Sequence, residues 1–225
     1  MSMHALTFQV QFPFGLCAGR GGQFNRLEIT RDGGGNPILH GSSIAGVIRS
    51  GLAQLDCVDF FGMPAQEREG EQQGFDSPLQ VPDCALSFAD SSANTSDRTH
   101  HLRNRHTKSV KDGGLFSLES CPPGTTMMLT LWLDDIEIIK KHGDSIEQAK
   151  IASIEFLSNV HELFRLGVTM GGNAARGIGL AIADSGYQYR YYDTRDLDDH
   201  ASLLDDHRKW RHSSKAFPSS KVRLP

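Results

Sequence analysis

Cysteine is sparse and scattered in this chain of 225 residues. Its four residues, Cys17, Cys57, Cys84 and Cys121, form no Cys-x-x-Cys pair. That spacing argues against a zinc ribbon or a redox dithiol. With no basic-then-apolar leader at the N-terminus, a disulfide scaffold is not expected. The thiols read as small buried groups of a cytoplasmic protein. No apolar run approaches the ~18 residues of a membrane span, so no membrane partner is expected. Positive charge is not in excess: the formal net charge is −4 and the isoelectric point about 6.2. Any nucleic-acid site must therefore be a local patch. The chain has no Walker A loop, no dinucleotide fingerprint and no Gly-x-Ser-x-Gly elbow, which leaves the common nucleotide and hydrolase motifs unmatched. Glycine, by contrast, is plentiful. It makes up 23 residues of 225, about 10% against an average near 7%. Many backbone positions here need unusual dihedrals or a close neighbour.

Hydrophobic periodicity orders the elements. Residues 5–12 alternate with period two and read as a half-buried strand. A long glycine-rich stretch, 13–41, follows. It holds a basic turn at Arg20, a strand-like piece at Leu27–Thr30, and a turn cluster from Asp32 to Pro37. Ile44, Val47, Ile48, Leu52 and Leu55 share one helical face, with Ser42 or Ser43 as the cap. Residues 62–80 read as a loop and Cys84–Phe88 as a short strand. Residues 90–114 have almost no large apolar side chain and are expected to leave the core. Thr125–Leu133 reads as a strand, and 145–166 as a helix with an Asp144/Glu147 capping box. Ile178–Ala183 reads as the final buried strand. Beyond 186 lies a tail without clear periodicity: six aspartates and one arginine over 193–206, then six Lys or Arg and no acid over 207–225.

Strand, helix, strand, strand, helix, strand is the ferredoxin-like pattern. It predicts an α+β fold: an RRM-like βαββαβ palm of antiparallel strands with two helices on one face. The other face must be covered or used. Long loops in compact domains tend to be functional, which directs attention to 13–41, 62–80 and 90–114.

Three constellations carry candidate chemistry. His40-Gly41-Ser42-Ser43-Ile44 opens the first helix, with Arg49 one to two turns on. It reads either as plain serine capping or as an anion cradle of backbone N–H groups on the helix dipole. Thr169 to Gly179 has four glycines in nine residues, at 171, 172, 177 and 179, with Arg176 among them. It reads either as a helix C-cap with a tight turn, or as backbone that approaches a phosphate beside a bidentate arginine. Residues 97–111 hold five Lys or Arg, including Arg98, Arg103, Arg105 and Lys108, against the one acid Asp97. That segment is either a solvated loop or a phosphate-tracking one. Its three histidines have no well-spaced thiol or carboxylate ligand nearby, so no metal site is expected there.

Together, the first two constellations resemble the RAMP superfamily, the RNA-binding subunits of CRISPR effector complexes. The family's Pro-Gly-Ser-Ser-(Ile/Leu)-Lys-Gly loop, followed by a helical arginine, corresponds to His40-Gly41-Ser42-Ser43-Ile44-Ala45-Gly46 and Arg49. Its late loop, Gly-Gly-x-x-x-Arg-Gly-x-Gly, is matched in full by Gly171 to Gly179. Weaker echoes keep the same order: Arg31-Asp32-Gly33 with Pro37, Phe60-Phe61-Gly62, Phe88-Ala89-Asp90, and Leu115 to Thr125 with Glu119. The resemblance spans about residues 5–185 and is nearest to the backbone subunit of type III complexes.

The resemblance implies a domain over 1–186 with a thumb inserted at about 90–114, and a charged tail or docking segment over 187–225. It implies guide-RNA binding by Arg20, His40, Gly41, Ser42, Ser43, Ile44, Arg49, Gly171, Gly172, Arg176 and Gly177, with thumb contacts from Arg98, Arg103, Arg105 and Lys108. The implied partners are guide RNA, complementary target RNA, further copies of the chain and other effector subunits, in antiviral defence. Two departures stand out. Ala45 replaces the loop lysine, and Phe24-Asn25-Arg26-Leu27 lacks the aspartate of the cleaving subunits. Target cleavage is therefore not expected, and no cofactor is needed for binding. The alternatives are an endoribonuclease of the same superfamily, with Asp32 as the weak catalytic candidate and Mg2+ as its cofactor, or a subunit that caps the complex.

Overall fold

The computed structural model describes residues 2–21, 26–54, 58–62, 76–90, 93–103, 106–107, 109–135, 145–172, 177–193 and 195–212. Strand β1 (Ser2–Phe12) is central to the larger sheet, and its period-two alternation explains why. Leu6, Phe8, Val10 and Phe12 are all buried on one side. Two further short strands, β2 (Gly19–Gly21) and β3 (Arg26–Ile29), rise within the glycine-rich stretch that the sequence suggested was mostly loop. β4 (Ile38–Leu39) leads into helix α1 (Gly41–Gly51). A single 3-10 turn (Val58–Phe61), β5 (Leu79–Gln80) and β6 (Cys84–Ser87) follow. Then come β7 (Ser96–Arg103), β8 (Val110–Ser120) and β9 (Thr125–Asp134). Helix α2 (Ile146–Leu166), β10 (Val168–Thr169), β11 (Leu180–Asp193) and helix α3 (Leu197–His212) complete the order.

The larger sheet runs β10-β11-β1-β9-β6-β4, with β5 paired to β9. β1 lies antiparallel between β11 and β9, and β6 is antiparallel to β9. An α+β fold with this strand order is consistent with the ferredoxin-like arrangement the sequence predicts. The core side chains of β1 and β9 (Met127, Leu129, Leu131, Leu133) meet Ile44 and Ile48 of α1 and Phe156, Leu157, Val160 and Phe164 of α2. Phe60 stacks on Phe156 with centroids 4.1 Å apart.

The structure revises several local expectations. The final strand does not stop at Ala183 but continues to Asp193. Its register against β1 shifts between Phe8 and Val10, so that Asp184, Ser185 and Gly186 face Gln9 alone. The supposedly aperiodic tail contains α3. Ser145 and Gln148 form the capping box of α2, whereas Asp144 lies outside the described residues. The cap of α1 is His40 rather than a serine.

The segment expected to leave the core is built as a β7–β8 hairpin in a separate four-stranded sheet, ordered β2-β3-β8-β7. β8 runs parallel to β3, pairing Arg26 with Ser117 and Leu27 with Leu118. Local periodicity cannot show such a pairing, because the two partners are about 90 residues apart in sequence. A small apolar cluster of Cys17, Leu118 and Ile178 fastens this sheet to the turns beside the larger one. Cys17, Cys84 and Cys121 are buried thiols, and burial pushes Cys84 and Cys121 up to about 12.

Candidate nucleic-acid interface

Helix α1 starts with its backbone pressed against the β5–β6 linker. A Cβ at position 41 would lie 1.9 Å from the Val81 carbonyl oxygen, so only glycine fits there. The Gly41 N–H donates to Asp83 Oδ1 at 2.8 Å, and His40 Nδ1 lies 3.2 Å from Asp83 Oδ2. A carboxylate thus already sits at the positive end of the helix dipole. Ser43 and Ile44 N–H groups donate to the His40 carbonyl at 3.0 and 3.2 Å, and the Ile44 side chain is in the core. What the turn offers outward is the exposed Ser42 and Ser43 side chains with the exposed His40 beside them. Arg49 is exposed too. Its guanidinium lies 5.6 Å from the Phe61 ring centroid, and Nη2 donates to the Gly62 carbonyl at 3.5 Å.

The late glycine turn docks elsewhere, on the linker between β1 and β2. Gly172 N–H donates to the Cys17 carbonyl and Gly179 N–H to the Gly15 carbonyl, both at 2.9 Å, while Met170 N–H donates to the Gly179 carbonyl at 2.8 Å. Gly171 and Gly179 have φ of 78° and 90°. Cβ atoms there would lie 2.5 Å from the Cys17 oxygen and 2.1 Å from the Met170 oxygen. These two glycines let backbone approach backbone within the protein. Gly172 and Gly177 are exposed, and Arg176 lies outside the described residues. Among the described residues, no hydrogen bond or ion pair joins this turn to the Ser42–Ser43 turn.

The basic segment becomes an edge strand. Arg98 is exposed on β7, opposite Leu118, and Arg103 ends that strand. Arg105 and Lys108 lie outside the described residues, and Arg20 sits on β2 opposite Glu28. Asp97, the one acid of the segment, pairs with Arg26 Nη2 at 3.1 Å. His100 stacks on Phe116 with centroids 5.5 Å apart.

Two of the weaker motif echoes meet in space. Arg31, before the glycine turn, forms an ion pair with Glu119 of β8, 88 residues away. Glu119 Oε2 also accepts the Ile29 N–H at 2.9 Å. Burial would push this carboxyl up; the bonds from Thr95 and Ile29 and the Arg31 charge outweigh that and hold it below its usual range. Asp32 serves its own turn. Oδ1 accepts the Gly34 and Asn36 N–H groups at 2.9 and 2.8 Å, and Oδ2 accepts Asn36 Nδ2 at 3.0 Å. Bonds from the Asn36 side chain and backbone hold it below the ordinary carboxylate value. A carboxylate so engaged is a weak base for abstracting a proton.

Sequence reasoning missed one polar cluster. His4 is fully buried, its Nε2 2.8 Å from Asp135 Oδ2 and its Nδ1 2.7 Å from the Tyr189 hydroxyl. Ser2 and Ser153 hydroxyls donate to the same Asp135 carboxylate. The signal was present: His4 falls on the core face of the alternating strand, in step with Leu6 and Phe8. With the His4 and Asp135 side chains both fully buried, the cluster ties β1, α2 and β11 together at the end of β9. Among the described residues, no group of three or more His, Cys, Asp or Glu is placed to hold a metal ion, and no helix is long and apolar enough to cross a membrane.

No protein-family model matches the chain, and no curated protein sequence matches it. Solved structures do. A chain in the cryo-EM structure of the type III-B Cmr-beta bound to cognate target RNA superposes with a TM-score of 0.56 at 16% identity, covering 80% of this chain and 96% of that one. A chain of the type III-B Cmr-beta in its apo state gives 0.54 at 16% identity over the same shares. At this identity the likeness is one of fold.

Proposed function

We propose that this protein is a guide-RNA-binding backbone subunit of a type III-like CRISPR ribonucleoprotein. In this reading β1, α1, β6, β9, α2 and β11 form a βαββαβ palm, the β7–β8 hairpin is the thumb, and the segment beyond β11 docks. The observation that carries the proposal is the coincidence of two independent signals. A chain that carries both glycine motifs in family order has the fold found in the type III-B Cmr-beta structures, over 80% of its length.

The chemistry assigned to each part follows from its surroundings. Ser42 and Ser43 hydroxyls and Arg49 bind phosphate oxygens without reading bases. Arg176 adds a bidentate contact from the late turn. Arg98 and its neighbours in the hairpin carry positive charge along the strand being bound. Gly41 and Gly171 act by positioning these turns rather than by touching RNA. Target RNA pairs with the guide, and neighbouring copies assemble head to tail, which generates a filament rather than a closed dimer. Target cleavage is not part of the proposal. Residues 24–27 carry no acid, and the Asp32 carboxylate is committed to its own turn.

The test is direct. The chain is expressed with its native guide array and purified, and its nucleic acid is measured by 260/280 nm absorbance and on a denaturing gel. RNA of discrete length is the expected result. A nucleic-acid-free protein that also fails to retain synthetic guide RNA in a filter would overturn the reading.

A further inference from the structure

The face of the larger sheet away from α1 and α2 carries the side chains that alternate with the core. Ala5 of β1, Trp132 of β9 and Tyr192 of β11 form an apolar cluster there, separate from the main core, and α3 adds Leu203 to it. Leu203 is the one buried apolar residue among the described side chains of α3, while Leu197 and Leu204 are 84% and 58% exposed. Polar contacts of the described residues add to the docking. Asp206 Oδ2 accepts Arg190 Nη1 at 2.6 Å and the Tyr192 hydroxyl at 2.7 Å, and Asp199 Oδ2 accepts the Asp193 N–H at 3.1 Å.

Beneath the helix, the Trp132 and Tyr192 rings lie 6.1 Å apart and tilted by 31°. The Arg190 guanidinium sits 4.9 Å from the Tyr192 ring centroid. Rings on the open face of such a sheet, with an arginine beside them, are what unpaired bases stack on. The part of the helix that covers them, 197–206, is acidic, with Asp198, Asp199, Asp205 and Asp206 and no Lys or Arg before Arg208, and Asp206 holds Arg190 much as a phosphate oxygen would.

We propose that α3 is a displaceable cover over a base-stacking platform of Trp132, Tyr192 and Arg190, which takes an unpaired base of single-stranded RNA when the helix lifts. Arg190 then exchanges the Asp206 carboxylate for a phosphate. The proposal rests on the RNA-binding reading above and adds a contact on the other face of the sheet.

The experiment uses the full chain with Trp210→Phe, which leaves Trp132 as the sole indole of two. Leu203→Ser with Asp206→Asn loosens the cover, and circular dichroism checks folding. Asp206→Asn alone, which keeps side-chain volume, serves if the double change unfolds. Acrylamide quenching of Trp132 and filter binding of a uridine oligonucleotide are measured together. Loosening is expected to raise quenching and tighten binding about tenfold, the scale of one base–aromatic stack. Trp132→Leu in the loosened chain removes that gain. A shielded indole, or an exposed one without tighter binding, overturns the proposal while unmodified protein that binds guide RNA keeps the functional reading intact. Loss of binding in every form overturns both.

Discussion

Replacing His4 tests the logic of the buried network most sharply. His4 and Asp135 are both fully buried and 2.8 Å apart. Burial alone would push the Asp135 carboxyl up; bonding to His4 and its charge, with the Ser153 and Ser2 hydroxyls, hold it below its ordinary value. His4→Ala leaves that carboxylate with two hydroxyl donors and an empty space where the ring stood. Removing one partner of a buried pair costs about 3–5 kcal/mol. In a chain of this size that is a fall of roughly 6–20 °C in Tm. The assay is urea unfolding followed by circular dichroism at neutral pH. His4→Leu with Asp135→Leu should recover most of the loss, because a well-packed apolar pair is often neutral relative to a buried ionic one. The single changes therefore cannot add. A single-variant cost below about 1 kcal/mol, or strictly additive costs in the cycle, would refute the reasoning.

The other predictions concern the turns and their anions. Gly41→Ala forces a methyl against the Val81 carbonyl and should cost about 1–3 kcal/mol by overpacking, read as a lower urea midpoint; an unchanged midpoint would show that the linker yields freely. Arg31→Ala deprives the buried Glu119 of its ion-pair partner and should cost about 1–3 kcal/mol, with Arg31→Lys recovering part of it. Both Glu119 and Asp135 have lowered folded-state values. Their stabilisation is thus complete above the unfolded carboxylate range near pH ~4, starts to fall there and is lost as pH drops on through their lower folded-state values; a melting temperature that stays level from neutral pH down to pH ~3 would contradict this. Arg176→Ala should weaken guide-RNA binding and reduce its salt slope by about one, and an unchanged affinity and slope in filter binding would remove this residue from the interface.

What the sequence by itself determined is whatever depends on neighbours along the chain. Period-two alternation placed β1, a continuous strand-like run placed β9, period-3.6 spacing placed α1 and α2, and glycine clusters marked the turns, because each is a local preference summed over a window. The candidate turns were legible for the same reason. Their partners were not. Only the tertiary structure decided that Asp83 meets Gly41, that Cys17 meets Gly171, that Arg31 meets Glu119, and that His4 meets Asp135 at a separation of 131 residues. It also turned a polar stretch into the β7–β8 hairpin, through a parallel pairing with β3, and laid α3 on the sheet through Leu203, Asp199 and Asp206. Composition carries no record of these contacts, since their energy arises only when distant residues leave water together.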